Sequence, residues 1–299
     1  MKLKKIFLIF VALIVFSPAL TSVSDYDYLM AKYGIIREKK RIATEREEVE
    51  RIATEREAEF EKKLFVLMEK IRDGKIDKTL FVEVPGKNYS IMATEVTQKQ
   101  YEAVMGENPS KHKGDDLPVE NVTWYDSLIF CNKLSEKQNL KPCYSYKKST
   151  NVSKWKFLKE DTGNWFKSDW RQFWRDFVCD YQASGYRLPT KDEWQYAAKG
   201  GEDYKYAGSY NPNKVGWYKY NSNGKPHPVA QKNANAYGLY DMTGNVYELI
   251  WDSGYCTSNS TACGGDYSSD PEFVEVDFST GRFYRDNGGA GFRLVCRSN

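Results

Sequence analysis

The sequence predicts an α+β domain with an unusually large share of loop, preceded by a charged helical arm. Three observations carry that reading. Thr97, Thr123 and Thr190 each stand where a helix should begin, and Gly106 and Gly200 stand where two of those helices should stop. Beyond Gly201 the apolar residues come in brief runs between Asn, Gly and Ser, the pattern of short, irregular strands.

The chain opens on Met1-Lys-Leu-Lys-Lys5, an apolar run over residues 6–16, and small residues around Ser17-Pro-Ala19 and Ser22-Val-Ser24. Residues 1–24 therefore have the form of a secretory signal cleaved between Ala19 and Ser24. The apolar run is well short of the roughly 20 residues that a membrane span requires. No Cys follows it to accept a lipid. The expectation is an exported protein, periplasmic, cell-surface or secreted, with no integral span after cleavage.

Residues 25–78 form the arm. Arg41-Ile-Ala-Thr-Glu-Arg-Glu-Glu48 recurs as Arg51-Ile-Ala-Thr-Glu-Arg-Glu-Ala58, within a stretch (36–74) rich in strong helix formers. Glu47 with Arg51 and Glu59 with Lys63 stand at the supporting four-residue spacing. Ten residues do not close a whole number of turns, so the repeat rotates its apolar residues around the axis and builds no steady coiled-coil seam. The arm reads as a solvated spacer about 55 Å long at most, with self-association through 36–74 as its other use. Phe60, Leu64, Phe65, Leu67, Met68 and Ile71 are its residues able to pack on a partner or on the following domain.

Residues 79–299 read as one domain. Thr97-Gln-Lys-Gln100 and Thr190-Lys-Asp-Glu193 are capping boxes, in which the Thr hydroxyl and the Gln or Glu side chain satisfy each other's orphan amides, each contributing about 1 kcal/mol. Thr123 caps a third helix over 124–135, with Leu128, Cys131 and Leu134 on one face. Residues 147–177 interrupt this rhythm as an insertion carrying Trp155, Phe157, Trp165, Phe166, Trp170, Phe173 and Trp174 among many charges. A disulfide between Cys143 and Cys179 would close its neck, at a gain of about 2 to 4 kcal/mol. Its aromatics either pack onto the domain or form an exposed platform; in the second case Trp165, Trp170, Trp174 and Tyr267 are the candidate ligand face for a sugar or a protein.

Composition narrows the function. A net charge of +3 is too small for a nucleic-acid binder, and two histidines, His112 and His227, leave little for a histidine-rich zinc site or a Ser-His-Asp triad. The 22 Tyr and 8 Trp suit an exposed binding surface. In an exported chain the even set Cys131, Cys143, Cys179, Cys256, Cys263 and Cys296 points to disulfides before reactive thiols, with connectivity undetermined.

A series of blocks in order resembles the formylglycine-generating enzyme (sulfatase-modifying factor) family across residues 81–297. They are Ala93-Thr-Glu-Val-Thr-Gln-Lys-Gln-Tyr-Glu-Ala-Val-Met105, Leu117-Pro-Val-Glu-Asn-Val-Thr-Trp-Tyr-Asp126, Phe130-Cys-Asn-Lys-Leu-Ser135, Arg187-Leu-Pro-Thr190, His227-Pro-Val229, Gly238-Leu-Tyr-Asp-Met-Thr-Gly-Asn-Val-Tyr-Glu248, Gly264-Gly265 and Gly291-Phe-Arg293. The resemblance implies a loop-rich fold related to C-type lectins, and an activity that oxidises a cysteine of a target sulfatase with molecular oxygen and copper held by two thiolates. Those thiols follow the double glycine with four residues between them. Here Ser269 and Val274 stand at these positions, and Cys263 replaces the Arg common before the glycines. Neither Ser nor Val holds monovalent copper. The expectation is a domain without catalytic residues, with copper not expected, and a local disulfide between Cys256 and Cys263.

The resemblance also implies a calcium held by Asp241, Gly244, Val246 and Glu248, two carboxylates and two carbonyls of the hard-oxygen kind that calcium prefers. The leading functional expectation is a binding or scaffold module for a glycan or protein ligand. The alternatives are an oxidase with a relocated copper site at Cys256 and Cys263, and a structural envelope protein assembling through its helical arm.

Overall fold

A computed structural model describes residues 27, 28, 31, 34–155, 176–251, 262–280 and 289–298. The signal segment, Trp165, Trp170, Trp174 and Cys256 lie outside the described residues. The chain divides into two units, Met1–Val66 and Leu67–Asn299.

Helix α1 spans Ile35–Arg72. Its residues to Val66 belong to the first unit, where the repeat is reproduced side chain by side chain. Arg41 pairs with Glu38 and Glu45, and ten residues later Arg51 pairs with Glu48 and Glu55. Lys63 takes Glu59, as the spacing implies, whereas Arg51 is held by Glu48 and Glu55 and not by Glu47. Ile42, Val49, Ile52, Phe60 and Phe65 are exposed, which is what a rotating apolar pattern produces in a single helix. No helix among the described residues is long and apolar enough to cross a membrane.

The second unit begins earlier than the sequence suggests, at Leu67 and not at residue 79. The reason is apolar burial: Ile71 is fully buried in the main core, with Leu67 and Met68 packed against it. Strands β1 (Phe81–Glu83) and β2 (Tyr89–Met92) form an antiparallel sheet with β9 (Val295–Arg297), so the two ends of the domain meet at Ser90 and Cys296. Three helices follow the Thr signals: α2 (Gln98–Met105), α3 (Trp124–Lys137) and α4 (Lys191–Lys199). All three carry a reciprocal capping box, Asp126 closing the one at Thr123, and Gly106 and Gly200 end α2 and α4 in the left-handed region. The short α5 (Pro212–Val215) lies in the loop-rich half. Four further strands, β5 (Tyr247–Leu249), β6 (Ala262–Cys263), β7 (Ser279–Thr280) and β8 (Ala290–Gly291), make a four-stranded sheet in the order β7-β6-β5-β8, with β5 and β8 parallel. The α+β, loop-rich class is the one expected.

Aromatic packing joins these elements. Trp124 stacks on Trp251 at 5.3 Å, Phe130 meets Phe292 edge-on at 5.1 Å, and Tyr101 stacks on Phe130 at 5.5 Å. The ends of the aromatic insertion belong to this core: Trp155 and Phe177 are buried and meet edge-on at 5.5 Å. They are not part of a free-standing platform.

The neck of the insertion is the antiparallel pair β3 (Tyr144–Tyr146) and β4 (Phe177–Cys179). Here the expected Cys143–Cys179 bridge is corrected, since both residues are free thiols. The register sets Cys179 opposite Tyr144, so its side chain shares a face with that of Tyr144. Cys143, one residue earlier, points to the other face of the ribbon, and a bridge would require the backbone to move.

Candidate functional site

The segment from Asp241 to Glu248 turns through three left-handed residues, Asp241 (φ 58°), Gly244 (φ 76°) and Asn245 (φ 62°). A Cβ at Gly244 would lie 2.0 Å from the Trp217 carbonyl oxygen, so only glycine allows this approach. The turn delivers Glu248 onto β5, opposite Cys263 of β6 and beside Gly291 of β8.

Glu248 is fully buried and paired. Arg293 donates Nε–H to Oε2 and Nη2–H to Oε1, each at 2.6 Å, and Trp194 donates Nε1–H to Oε2 at 2.6 Å. The remaining guanidinium donors reach the carbonyls of Met92, Ala93 and Tyr240 at 3.1, 3.3 and 2.8 Å. Glu95, also fully buried, accepts from Asn245 Nδ2 at 2.8 Å and from the Val246 N–H at 3.2 Å. Asp241 accepts from the Ala230 N–H through Oδ2 at 2.7 Å, while its Oδ1 is buried with no partner among the described residues. Three carboxyl groups thus share one guanidinium in a medium that penalises charge. Burial pushes the Asp241 carboxyl up to about 6, and burial followed by repulsion from Asp241 and Glu248 pushes Glu95 well above the usual range.

The four residues of the implied calcium set are therefore adjacent in the chain but unequal as ligands. Asp241 has an open oxygen that suits a cation. Glu248 does not, because Arg293 already neutralises it, and it would join a cation only by releasing that pair. Among the described residues no group of three or more His, Cys, Asp or Glu is placed to hold a metal ion.

The double glycine leads into the loop where the family's thiols belong. The Ser269 hydroxyl donates to Asp266 Oδ1 at 2.7 Å, accepts from the Asp266 N–H at 3.1 Å, and lies 3.2 Å from the Tyr247 hydroxyl. Val274 is fully buried in a small cluster with Tyr206, Val215 and Tyr218. Both positions serve the interior of the loop. Both histidines stand around it. His112 meets the half-buried Tyr267 ring edge-on at 5.7 Å, and His227 Nε2 lies 2.8 Å from the Ser222 carbonyl, whose hydroxyl donates to the Tyr267 carbonyl at 2.6 Å. Trp217 stacks on His227 at 3.8 Å, and the Lys232 ammonium lies 3.8 Å above the Trp217 ring.

Reactive thiols are absent from the described residues for a physical reason. Cys131, Cys143, Cys263 and Cys296 are buried and Cys179 is half-buried. Burial pushes Cys143 up to about 12 and Cys296 up to about 11, and raises Cys131, Cys179 and Cys263 further, the last also through Glu248. Buried and held protonated at neutral pH, these groups are poor nucleophiles, and each would have to give up its proton to ligate copper. The partner expected for Cys263, Cys256, lies outside the described residues. Sequence reasoning missed Glu95, Arg293, Asp266 and Tyr247 as members of this region. Glu95, Arg293 and Tyr247 lie inside motifs that the resemblance had already marked, and that was the available signal.

The profile of the Sulfatase-modifying factor enzyme 1-like domain matches residues 70–298. The chain is 42% identical over 178 residues to "Chaperone protein LppX" of Paenibacillus barcinonensis, covering 53% of this chain and 60% of that protein. It is 36% identical over 88 residues to "Inactive C-alpha-formylglycine-generating enzyme 2" of Bos taurus, covering 25% of this chain and 29% of that one. It thus spans less than two thirds of either relative. Among solved structures it resembles Treponema denticola variable protein 1, at 34% identity and a TM-score of 0.58 over 73% of this chain and 91% of that one.

Proposed function

The chain belongs to the sulfatase-modifying factor enzyme 1-like domain family, and we propose that within it this protein is a non-catalytic, exported binding or scaffold module for a glycan or protein ligand. The observation that carries this reading is the state of Ser269 and Val274. The first spends its hydroxyl inside the loop on Asp266, and the second is buried among tyrosines, so neither position offers a group to copper or to a substrate cysteine. The raised thiols elsewhere agree with it. A relative named inactive and another named a chaperone support a role in holding a partner over one in oxidising it.

The test is incubation of the mature protein with copper, oxygen, a reductant and a Cys-x-Pro-x-Arg peptide, read by mass spectrometry beside an active family enzyme. The expected result is an unchanged cysteine. Its conversion to formylglycine would establish the oxidase reading and direct attention to Cys256 and Cys263.

A second reading concerns calcium and rests on the unpartnered Asp241 Oδ1. A hard cation at that oxygen would supply the positive charge that this buried group lacks and would stiffen the loop running from Ala230 to Val246, with no part in any reaction. A calcium-dependent rise in melting temperature that Asp241→Asn abolishes would support it.

A further inference from the structure

In the loop-rich half of the second unit, lined by Tyr204, Tyr210, Asn211, Lys214 and Asn233 among others, lies an open cavity of about 510 Å³, of the size that small-molecule sites occupy. We propose that it is a saccharide site, and that the sugar it takes carries a carboxylate, as a uronic acid does. This deepens the binding-module reading and rests on it.

The cavity has fixed walls. On one side Tyr206 and Ser209 exchange backbone hydrogen bonds at 3.1 and 3.2 Å, and the turn between them presses so closely on the next segment that a Cβ at Gly208 would lie 2.9 Å from the Asn235 Cα. On the other side the Lys214 carbonyl accepts from the Asn233 N–H at 3.0 Å, and the Asn213 carbonyl accepts from Lys232 Nζ at 2.9 Å. Preorganised walls reduce the entropy a ligand must overcome.

Tyr210 supplies an aromatic plate. It is 69% exposed, the second unit's most exposed large hydrophobic side chain among the described residues, yet its ring is not free to turn. Its hydroxyl donates to the Asp203 carbonyl at 3.0 Å, and the Tyr204 ring abuts it edge-on at 4.9 Å. With its polar end tied back, the side chain offers its ring, the surface on which the C–H face of a pyranose stacks.

The polar groups around the plate define what the sugar carries. Of the four lysines from Lys199 to Lys219, three pair with acids, Lys199 with Asp277, Lys205 with Glu275 and Lys219 with Asp270. Lys214, which lines the cavity, pairs with none among the described residues, and no Asp or Glu lines the cavity. Asn211 uses its Oδ1 on the Asn213 N–H and keeps its amide N–H groups unengaged, and the Asn233 side chain has no hydrogen-bond partner among the described residues. Two amides suit ring hydroxyls, and one ammonium suits one carboxylate. A phosphate would call for a denser set of donors than this single cation provides.

The proposal is tested by isothermal titration of the full mature chain with trigalacturonate and with a hyaluronan tetrasaccharide, each beside neutral galactotriose. We expect saturable binding of at least one acidic sugar, about tenfold tighter than galactotriose. Tyr210→Ala should weaken it about tenfold, and Lys214→Gln should reduce it to the level of the neutral sugar, both with unchanged melting temperatures because both side chains are at the surface. Absence of binding by both acidic sugars, equal binding of galactotriose, or binding indifferent to Tyr210→Ala would overturn the proposal. The peptide-oxidation assay reports on a different loop, so failure of the titration and failure of the non-catalytic reading are seen separately.

Discussion

Replacing Asp241 by Asn exchanges one oxygen for one amide nitrogen and removes a charge that the fold holds at a loss. The carboxyl is 2% exposed, keeps one hydrogen bond from the Ala230 N–H, and has nothing to meet Oδ1. Burial raises it to about 6 against the help of Ala230 and Arg293, with Glu248 adding repulsion. The unfolded chain titrates the same group near 4. Between about pH 4 and pH 6 the native state therefore binds more protons than the unfolded one, so stability falls as pH rises through that window and levels off above it. A shift of about two units amounts to about 3 kcal/mol at pH 7. Asn has no charge to bury, can still accept from Ala230, and is at home at the φ of 58° found here. Urea unfolding in EDTA at pH 4, 5, 6 and 7 should show the variant gaining on the wild type with each step, by about 3 kcal/mol in all. A difference that does not vary with pH would refute the argument from burial. Repeating the pH 7 measurement with calcium separates the second reading: the wild type should recover most of the deficit and the variant should not respond, whereas an indifferent wild type would dismiss calcium alone.

Gly244→Ala places a methyl 2.0 Å from the Trp217 carbonyl oxygen at a φ of 76°, so it should cost more than about 3 kcal/mol and leave little folded protein by circular dichroism; a melting temperature like that of the wild type would show that the turn can relax. For the thiols, native protein at pH 8 with iodoacetamide should leave Cys131, Cys143, Cys263 and Cys296 unlabelled, and urea should expose all four to mass-spectrometric detection. A Cys143–Cys179 peptide pair still joined in non-reducing urea would overturn the register argument.

What could be read from the sequence was local. The helix starts at Thr97, Thr123 and Thr190 were legible because a capping box closes within four residues, and the stops at Gly106 and Gly200 because backbone conformation there belongs to one residue. The knot around Glu248 was not, because its partners come from three distant places: Glu95 reaches Asn245 across 150 positions, Trp194 reaches Glu248 across 54, and Arg293 reaches it across 45. The error at Cys143 and Cys179 has the same origin. Sequence distance placed the two cysteines at the neck of a ribbon, but a register that differs by one residue decides the face on which each side chain stands. Likewise Trp155 and Phe177 fell inside an apparent insertion, because nothing in its composition marks which aromatics the core will claim.

On the non-catalytic reading proposed above, the difference between core and loop bears on how the family's framework would persist without its chemistry. The Glu248–Arg293 pair at the centre of the knot is fully buried and held further by Trp194 and by the carbonyls of Met92, Ala93 and Tyr240, so removing either partner would strand a buried charge and endanger the fold itself. The loop after Gly265 combines bonds between close neighbours, Asp266 with Ser268 and Ser269, with bonds to distant segments: the Tyr267 N–H donates to the Asn245 carbonyl, and the Tyr267 and Ser269 carbonyls accept from the Ser222 hydroxyl and the Lys219 N–H. Once Ser269 is engaged by Asp266 and Val274 is sealed among Tyr206 and Tyr218, returning sulfur to those two positions would meet a loop packed for other side chains. The side chains of Tyr210 and Lys214 are exposed at the cavity and belong neither to the buried knot nor to the cluster around Val274, so they can vary with a ligand while Val215 anchors their turn to that cluster.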